Sequence, residues 1–250
     1  GSIYIGGTTR GDLDGQANSG GSDAYLSKFN SDGTRQWTRL IGTTEDDVGS
    51  IVKPLSDGSL GVIGSTKGDL SGHANNGNFD IFINKYSSSG TQVWGKLIGG
   101  SGNDFASDLI SVGSNTYITG FTDGSIDGVA ENKGGTDAFV LIFNSEWDLI
   151  YTNQFGTSGD DGASEIASSS DDAIYVVGNT RGNLHAQENQ GNQDAFLIKF
   201  RAINTSLETD TTPPTLQSTT ATNNQLTLTF SEDLQVAGGG ALDTSLLTVT

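Results

Sequence analysis

One spacing, 57 residues, limits what this chain can fold into more than any other feature. The motif Asp-(Ala/Ile)-(Phe/Tyr) begins at Asp23, Asp80, Asp137 and Asp194, in equal steps. Trp37, Trp94 and Tyr151 mark the same period, as do Gly42, Gly99 and Gly156, and Asp47, Asp104 and Asp161. A fixed period of this size marks a stack or ring of equal units, none of which can bury its apolar surface alone.

Each copy reads as four short strands rich in β-branched and aromatic residues and bounded by Gly, Asn, Asp and Ser. GSIYIGG, SLGVIG, NTYITG and AIYVVG form the first strand, and DAYLSKF, DIFINKY, DAFVLIF and DAFLIKF the second. RQWTRLIG, TQVWGKLIG and DLIYTNQFG form the third; VGSIVKP, FASDLIS and GASEIAS form the fourth. The second strand is apolar at consecutive positions (Phe139 to Phe143), as a strand covered on both faces is. The fourth alternates with Ser, Glu and Asp, the pattern of a more exposed edge. Glycine-bearing turns such as NSDGT and SSSGT imply antiparallel hairpins. The expected fold is therefore all-β. It is a partial β-propeller of four-stranded antiparallel blades, about three and a half of them, over residues 1–201. A solenoid is the rival architecture, and hairpin-linked strands suit radial stacking better. In the third copy NSEWDLIY places Trp147 where Gly33 and Gly90 stand. This predicts a turn of a different type and an exposed Trp147.

The string GGSGNDFAS, an NTYITG-like strand and DAFVLIF together resemble the bacterial β-propeller repeat called SBBP, found in secreted and surface proteins. The resemblance covers about residues 1–201. Beyond it, residues 202–213 read as a polar linker stiffened at its end by Pro213 and Pro214. In NNQLTLTFSEDL, Leu226, Leu228 and Phe230 alternate with Thr227 and Thr229, as in a half-buried strand. The run from Asp210 is similar to the start of SwmB-type Ig-like repeats of cyanobacterial surface proteins. That implies a truncated β-sandwich over 214–250. A half-copy at residues 173–201 and the lack of Met suggest a piece of a longer chain.

Composition narrows function. With 12 basic and 30 acidic residues the net charge is −18, which repels phosphate backbones and anionic lipid. Nucleic acid and membrane surfaces are thus poor partners. No apolar run is long enough to span a bilayer. Without Cys there are no disulfides, thiolate metal sites or Cys nucleophiles.

The repeated acids are the leading site candidates. In an up-and-down blade the loops closed by Asp23, Asp80, Asp137 and Asp194 and those closed by Asp47, Asp104 and Asp161 fall on one face. Seven carboxylates would ring it, with Asp12, Asp14, Glu45, Asp46 and Asp160 nearby. One reading is a set of hard-oxygen calcium sites. The other is loop closure, each Asp accepting backbone N–H groups. Recurrence in every copy favours the second. Trp37, Trp94 and Tyr151 suit packing between blades better than sugar stacking. His73 and His185 stand at different repeat positions and offer no zinc spacing. Asp46/Asp47 could serve a glycosidase, but similar copies set no site apart. Asn204-Thr205-Ser206 fits a glycosylation sequon. The expected role is a non-enzymatic structural or interaction module, extracellular or at a bacterial cell surface, meeting a protein or glycan. It needs no cofactor unless calcium is bound. The alternatives are calcium-dependent adhesion and carbohydrate binding or processing.

Overall fold

A computed structural model describes residues 1–55, 57–128, 131–170, 173–202, 216–222 and 225–230. Gly1–Thr205 forms one compact unit and Ser206–Thr250 a second. In the first unit, β1 (Ser2–Thr9), β2 (Asp23–Asn30) and β3 (Arg35–Ile41) make the first sheet. β4 (Asp47–Pro54), β5 (Leu60–Thr66), β6 (Asp80–Tyr86) and β7 (Gln92–Ile98) make the second. β8 (Asp104–Val112), β9 (Asn115–Thr122), β10 (Asp137–Phe143) and β11 (Leu149–Phe155) make the third. β12 (Asp161–Ser168), β13 (Ala173–Thr180) and β14 (Asp194–Arg201) make the fourth. All strand pairs in these sheets are antiparallel.

The expected strands are present, but the phase of the sheets is corrected. The fourth strand of each copy opens the next sheet, as the pairs β4–β5, β8–β9 and β12–β13 show. Loop length is the reason. Gly113 and Ser114 alone separate β8 from β9, which leaves antiparallel pairing as the only short path. Between β3 and β4 the chain instead steps to the neighbouring sheet. There Asp47 N–H donates to the Ser22 carbonyl at 2.6 Å, beside a single parallel bridge between Ser22 and Asp46. The fourth strands do lie at a sheet edge, as their alternation predicts.

Side-chain alternation then stacks the sheets. On β10, Phe139, Leu141 and Phe143 turn back onto Ile63, Ile81 and Ile83 of the second sheet. Ala138, Val140 and Ile142 turn forward onto Ile174 and Val176 of the fourth. Ala24 and Leu26 of β2 pack forward onto Val62 and Phe82. Each such side chain taken out of water contributes about 1.5–3 kcal/mol. A sheet of this composition is stable only between two others.

Trp147 corrects a second expectation. It is only 8% exposed, with its ring 5.0 Å from that of Trp94 and 6.0 Å from that of Phe143. Its turn is also of the same type as the others. Trp147 N–H donates to Asn144 O at 3.1 Å, as Gly33 N–H does to Asn30 O at 3.0 Å. The φ angles are +84° at Gly33, +81° at Gly90 and +65° at Trp147. Trp37 covers Gly90 on the neighbouring turn, and Trp94 finds Trp147 at the matching place. The left-handed backbone at a bulky residue costs about 1–2 kcal/mol, and ring burial more than offsets it.

In the second unit β15 (Leu216–Thr222) and β16 (Gln225–Phe230) form an antiparallel hairpin. The linker at 203–213, the alternation at Leu226, Leu228 and Phe230, and the rest of the Ig-like segment lie outside the described residues and side chains.

Removing the Trp147 ring should lower stability by about 3–5 kcal/mol, read by denaturant unfolding of Trp147→Ala. Trp147→Gly should be the milder change, because glycine relaxes the left-handed backbone. The opposite order would mean that the backbone there is not strained.

Candidate functional site

The seven sequence-predicted aspartates do share one end of the sheets. Thr66 pairs across from both Asp47 and Asp80, Thr122 from Asp104 and Asp137, and Thr180 from Asp161 and Asp194; Asp23 faces Thr9. The structure also does something the spacing did not foretell. The step from one sheet to the next brings Asp23 beside Asp47, Asp80 beside Asp104 and Asp137 beside Asp161. The glycine of each step lies between the pair. A methyl group on Gly99 would overlap Asp80 Oδ1 and stand 2.6 Å from Asp104 Oδ2. On Gly156 it would overlap Asp137 Oδ1 and stand 3.1 Å from Asp161 Oδ2. Gly42 lies against Asp23 in the same way.

One oxygen of every carboxylate has the same task. Oδ2 accepts the backbone N–H four residues earlier: Ser19 to Asp23 at 2.9 Å, Asn76 to Asp80 at 2.8 Å, Lys133 to Asp137 at 2.9 Å and Gln190 to Asp194 at 2.7 Å. The same bond runs from Thr43 to Asp47 at 2.6 Å, Gly100 to Asp104 at 2.8 Å and Thr157 to Asp161 at 2.5 Å. The turns before β2 and β4 and their counterparts are thus closed by their own aspartates. Six of the seven are fully buried, while Asp194 is partly exposed. In those six Oδ1 has no hydrogen-bond partner.

A buried carboxylate without a cation disfavours its charged form. Burial, with the Asp80 and Asp123 charges adding to it, pushes Asp104 up to about 6. Burial raises Asp47 as well, Asp23 adding to the effect, and burial raises Asp80. These pairs are the groups that could hold a hard cation or share a proton. Among the described residues no group of three or more His, Cys, Asp or Glu side chains converges as a metal site.

The neighbouring acids have other duties. Asp12 Oδ1 accepts the Asn18 N–H at 3.0 Å, and Asn183 Oδ1 accepts the Asn189 N–H at 2.9 Å in the fourth copy, so no charge is required there. Asp14 pairs with Arg35 and accepts the Thr38 hydroxyl at 2.5 Å. The Glu45 backbone N–H donates to the Thr43 hydroxyl oxygen at 3.1 Å. Asp46 meets Lys67 at 3.5 Å, and Asp160 meets Arg181 at 3.1 Å. At the middle junction the acid moves to the other side, and Asn103 Nδ2 donates to Asp123 at 2.7 Å.

The two histidines are not brought together as a pair. His73 closes a two-residue hairpin with Leu70, and His185 lies with its ring 6.0 Å from Phe155. Trp37 and Trp94 pack against neighbouring turns, as expected of them, while Tyr151 is exposed. The sequon at Asn204 lies outside the described residues.

Two features escaped the sequence reading. Asn18, Asn75, Asn132 and Asn189 recur at the same period, and the side-chain oxygen of each accepts a glycine N–H two residues on, at 2.7–3.0 Å. The spacing alone was the signal. The other is a cluster that does not recur. Lys53 Nζ reaches Asp108 at 2.8 Å, and Glu165 is held above its ordinary carboxyl range by a hydrogen bond with Asp108, burial adding to it.

Known proteins add modest context. No family model matches the chain. Regulatory protein FlaEY of Caulobacter vibrioides is 31% identical over 171 residues, which is 62% of this chain and 18% of that protein. The chain therefore corresponds to a small part of that relative. Among solved structures, the phage phi92 endosialidase aligns with 94% of this chain and 40% of its own, at 15% identity and a TM-score of 0.47.

Asp47, Asp80, Asp104 and Glu165 are raised in the folded state. Their stabilisation is fully present below the unfolded values near 4 and is lost as pH rises through the folded ones, near 6 for Asp104. Asp57, held down to about 2 by its hydrogen bond with Lys85, works the other way at lower pH. The melting temperature should therefore rise between pH 7.5 and 5 and fall below about 4. Asp104→Asn should flatten the first limb; a wild-type curve flat from 7.5 to 5 would contradict the buried-pair electrostatics. Gly99→Ala should cost about 1–3 kcal/mol through overpacking. Gly11→Ala, with nothing near its Cα substituent, should change stability by under about 0.5 kcal/mol.

Proposed function

We propose that this chain is a non-enzymatic structural and interaction module of a large bacterial secreted or cell-surface protein. Its stacked sheets belong to an SBBP-type propeller followed by the start of an Ig-like repeat, and it presents loops to a protein or glycan. The observation that carries this reading is the use to which the acids are put. Every recurring aspartate spends an oxygen on the backbone of its own loop, and Asp108, one period before Glu165, is paired with Lys53 at 2.8 Å. Such groups hold a scaffold and do not attack a substrate. The net charge of −18 supports an exterior setting free of nucleic acid. Among the described residues no helix is long and apolar enough to cross a membrane.

The test is incubation with a panel of polysaccharides and assay of released reducing ends, beside a glycan array. The expected result is no release. Release that disappears in Glu165→Gln would overturn the scaffold reading in favour of a polysaccharide-active enzyme.

A second reading, calcium-dependent adhesion, is favoured by the six buried Oδ1 atoms without partners. Calcium takes 6–8 oxygen ligands and would neutralise a carboxylate pair. Melting in millimolar calcium and in EDTA separates the readings. A folded-state site raises the melting temperature according to RT ln(1 + [L]/Kd), whereas equal curves leave the aspartates as loop closures.

A further inference from the structure

Recurrence argues against a binding site, since equal copies set none apart. One junction is not equal. Phe79, Phe105 and Phe121 adjoin Asp80, Asp104 and Thr122 at the step from the second sheet to the third. Beside the matching Asp or Thr of the other copies stand Ser22, Thr136 and Gln193 in place of Phe79, and Val48 and Gly162 in place of Phe105. Thr8, Ser65 and Asn179 take the place of Phe121. The three rings follow one another at 5.1 and 5.3 Å. They are half-buried and stand outside the apolar seams that hold the sheets together. A row of rings that neither recurs nor packs a seam serves something other than the fold. Its two ends differ. Lys67, tied to Asp46, closes one end by lying over the Phe79 ring at 4.8 Å. At the other end Phe121 faces Gly162 of β12, where a methyl group would stand 3.7 Å from Phe121 Cβ and 3.9 Å from Asn179 Oδ1. The missing side chain leaves a notch between a ring and an amide. Asn103 and Asp123 rim the row. They face each other two positions beyond Phe105 and Phe121, hence on the same side of the hairpin and about 6.5 Å further along. The Asn103 backbone N–H and Nδ2 donate to Asp123 at 2.5 and 2.7 Å, one to each oxygen, and each oxygen keeps a second lone pair.

Within the interaction-module reading, on which this rests, we propose that the row is a subsite for one sugar unit of an uncharged polysaccharide. The pyranose ring lies on Phe121 in the Gly162 notch, with its hydroxyl groups on Asp123 and Asn179. A pyranose carries C–H groups on its faces and hydroxyls at its rim, and so matches an aromatic platform flanked by a carboxylate and an amide. An apolar peptide side chain would strip water from Asp123 and Asn179 and return no hydrogen bond. Asp123 and the net charge of −18 turn away sugars that carry a carboxylate.

Affinity electrophoresis of the full chain through gels carrying a β-glucan, a xylan, a galactomannan or polygalacturonate tests this. At least one of the three neutral polymers should retard the wild type, and polygalacturonate should not. Phe121→Ser and Gly162→Val should each weaken the binding at least about tenfold, as loss or obstruction of an anchoring contact does. Their melting should stay close to the wild type, because Ser65 and Val48 hold those positions in other copies. Phe105→Val, also the residue of the first copy, serves should Phe121→Ser fail to fold. Tyr151→Ser removes an exposed ring on an outer strand and should bind as the wild type does. Retardation by no neutral polymer, or by polygalacturonate alone, overturns the subsite while the module reading stands. Binding that Phe121→Ser and Gly162→Val leave intact, or that Tyr151→Ser weakens equally, puts the glycan elsewhere and overturns it too. Release of reducing ends from a retarding polymer would instead overturn the non-enzymatic reading beneath.

Discussion

A strand that is apolar on both faces cannot stop at one interface. Phe139, Leu141 and Phe143 demand a cover on one side, and Ala138, Val140 and Ile142 demand one on the other. That requirement makes the fold a stack and fixes the order of the sheets. It also explains why the long loops of the second to fourth sheets carry an apolar residue near their tips. Leu70, Ile126 and Leu184 are tucked into the seams between sheets and complete the cover where strands alone leave a gap. Stability is therefore a property of neighbours and not of any sheet by itself.

Stacking creates a second problem, namely how the chain crosses from one sheet to the next without leaving backbone groups unpaired. The aspartate pairs and their glycines answer it. Each carboxylate closes its own turn by taking a backbone N–H, and the glycine between them allows two carboxylates to approach where a side chain would collide. This arrangement tolerates buried negative charge, and the raised protonation of Asp47, Asp80 and Asp104 is its direct result. The crossing point is consequently both the tightest and the most electrostatically burdened part of the unit.

Much of this was legible in the sequence. The period gave the number of equivalent strands, the two-sided hydrophobicity of DAFVLIF gave stacking, and the aspartates fell at one end as the hairpin topology requires. The sheet phase was not legible, because a periodic sequence has no intrinsic starting point. Only the pairing of β4 with β5 across a short turn decides it. The burial of Trp147 was hidden for a related reason. A tryptophan in a turn reads as exposed unless its partner on another sheet, Trp94, is placed against it. The pairing of Asp23 with Asp47 across the sheet step was likewise a matter of the crossing geometry, not of spacing along the chain.

Differences between copies separate what the fold needs from what it merely permits. Asp46 with Lys67 and Asp160 with Arg181 flank a junction where Asn103 faces Asp123, so what persists is a polar tie across the step and not a particular charge order. Exposed ties of this kind contribute under about 1 kcal/mol each, which is why the order is free to change. The buried aspartates show no such exchange in any copy. The small hairpin inside the long loop lies between these extremes. Asp14-Gly15 and Ser71-Gly72 adopt positive φ with glycine second, whereas His185-Ala186 does so with no glycine at all, at +48° and +61°. Two strained residues at about 1–3 kcal/mol each persist there because Leu184 is anchored in the seam below and the His185 ring lies against Phe155. The core thus holds the loop in a shape its own residues disfavour.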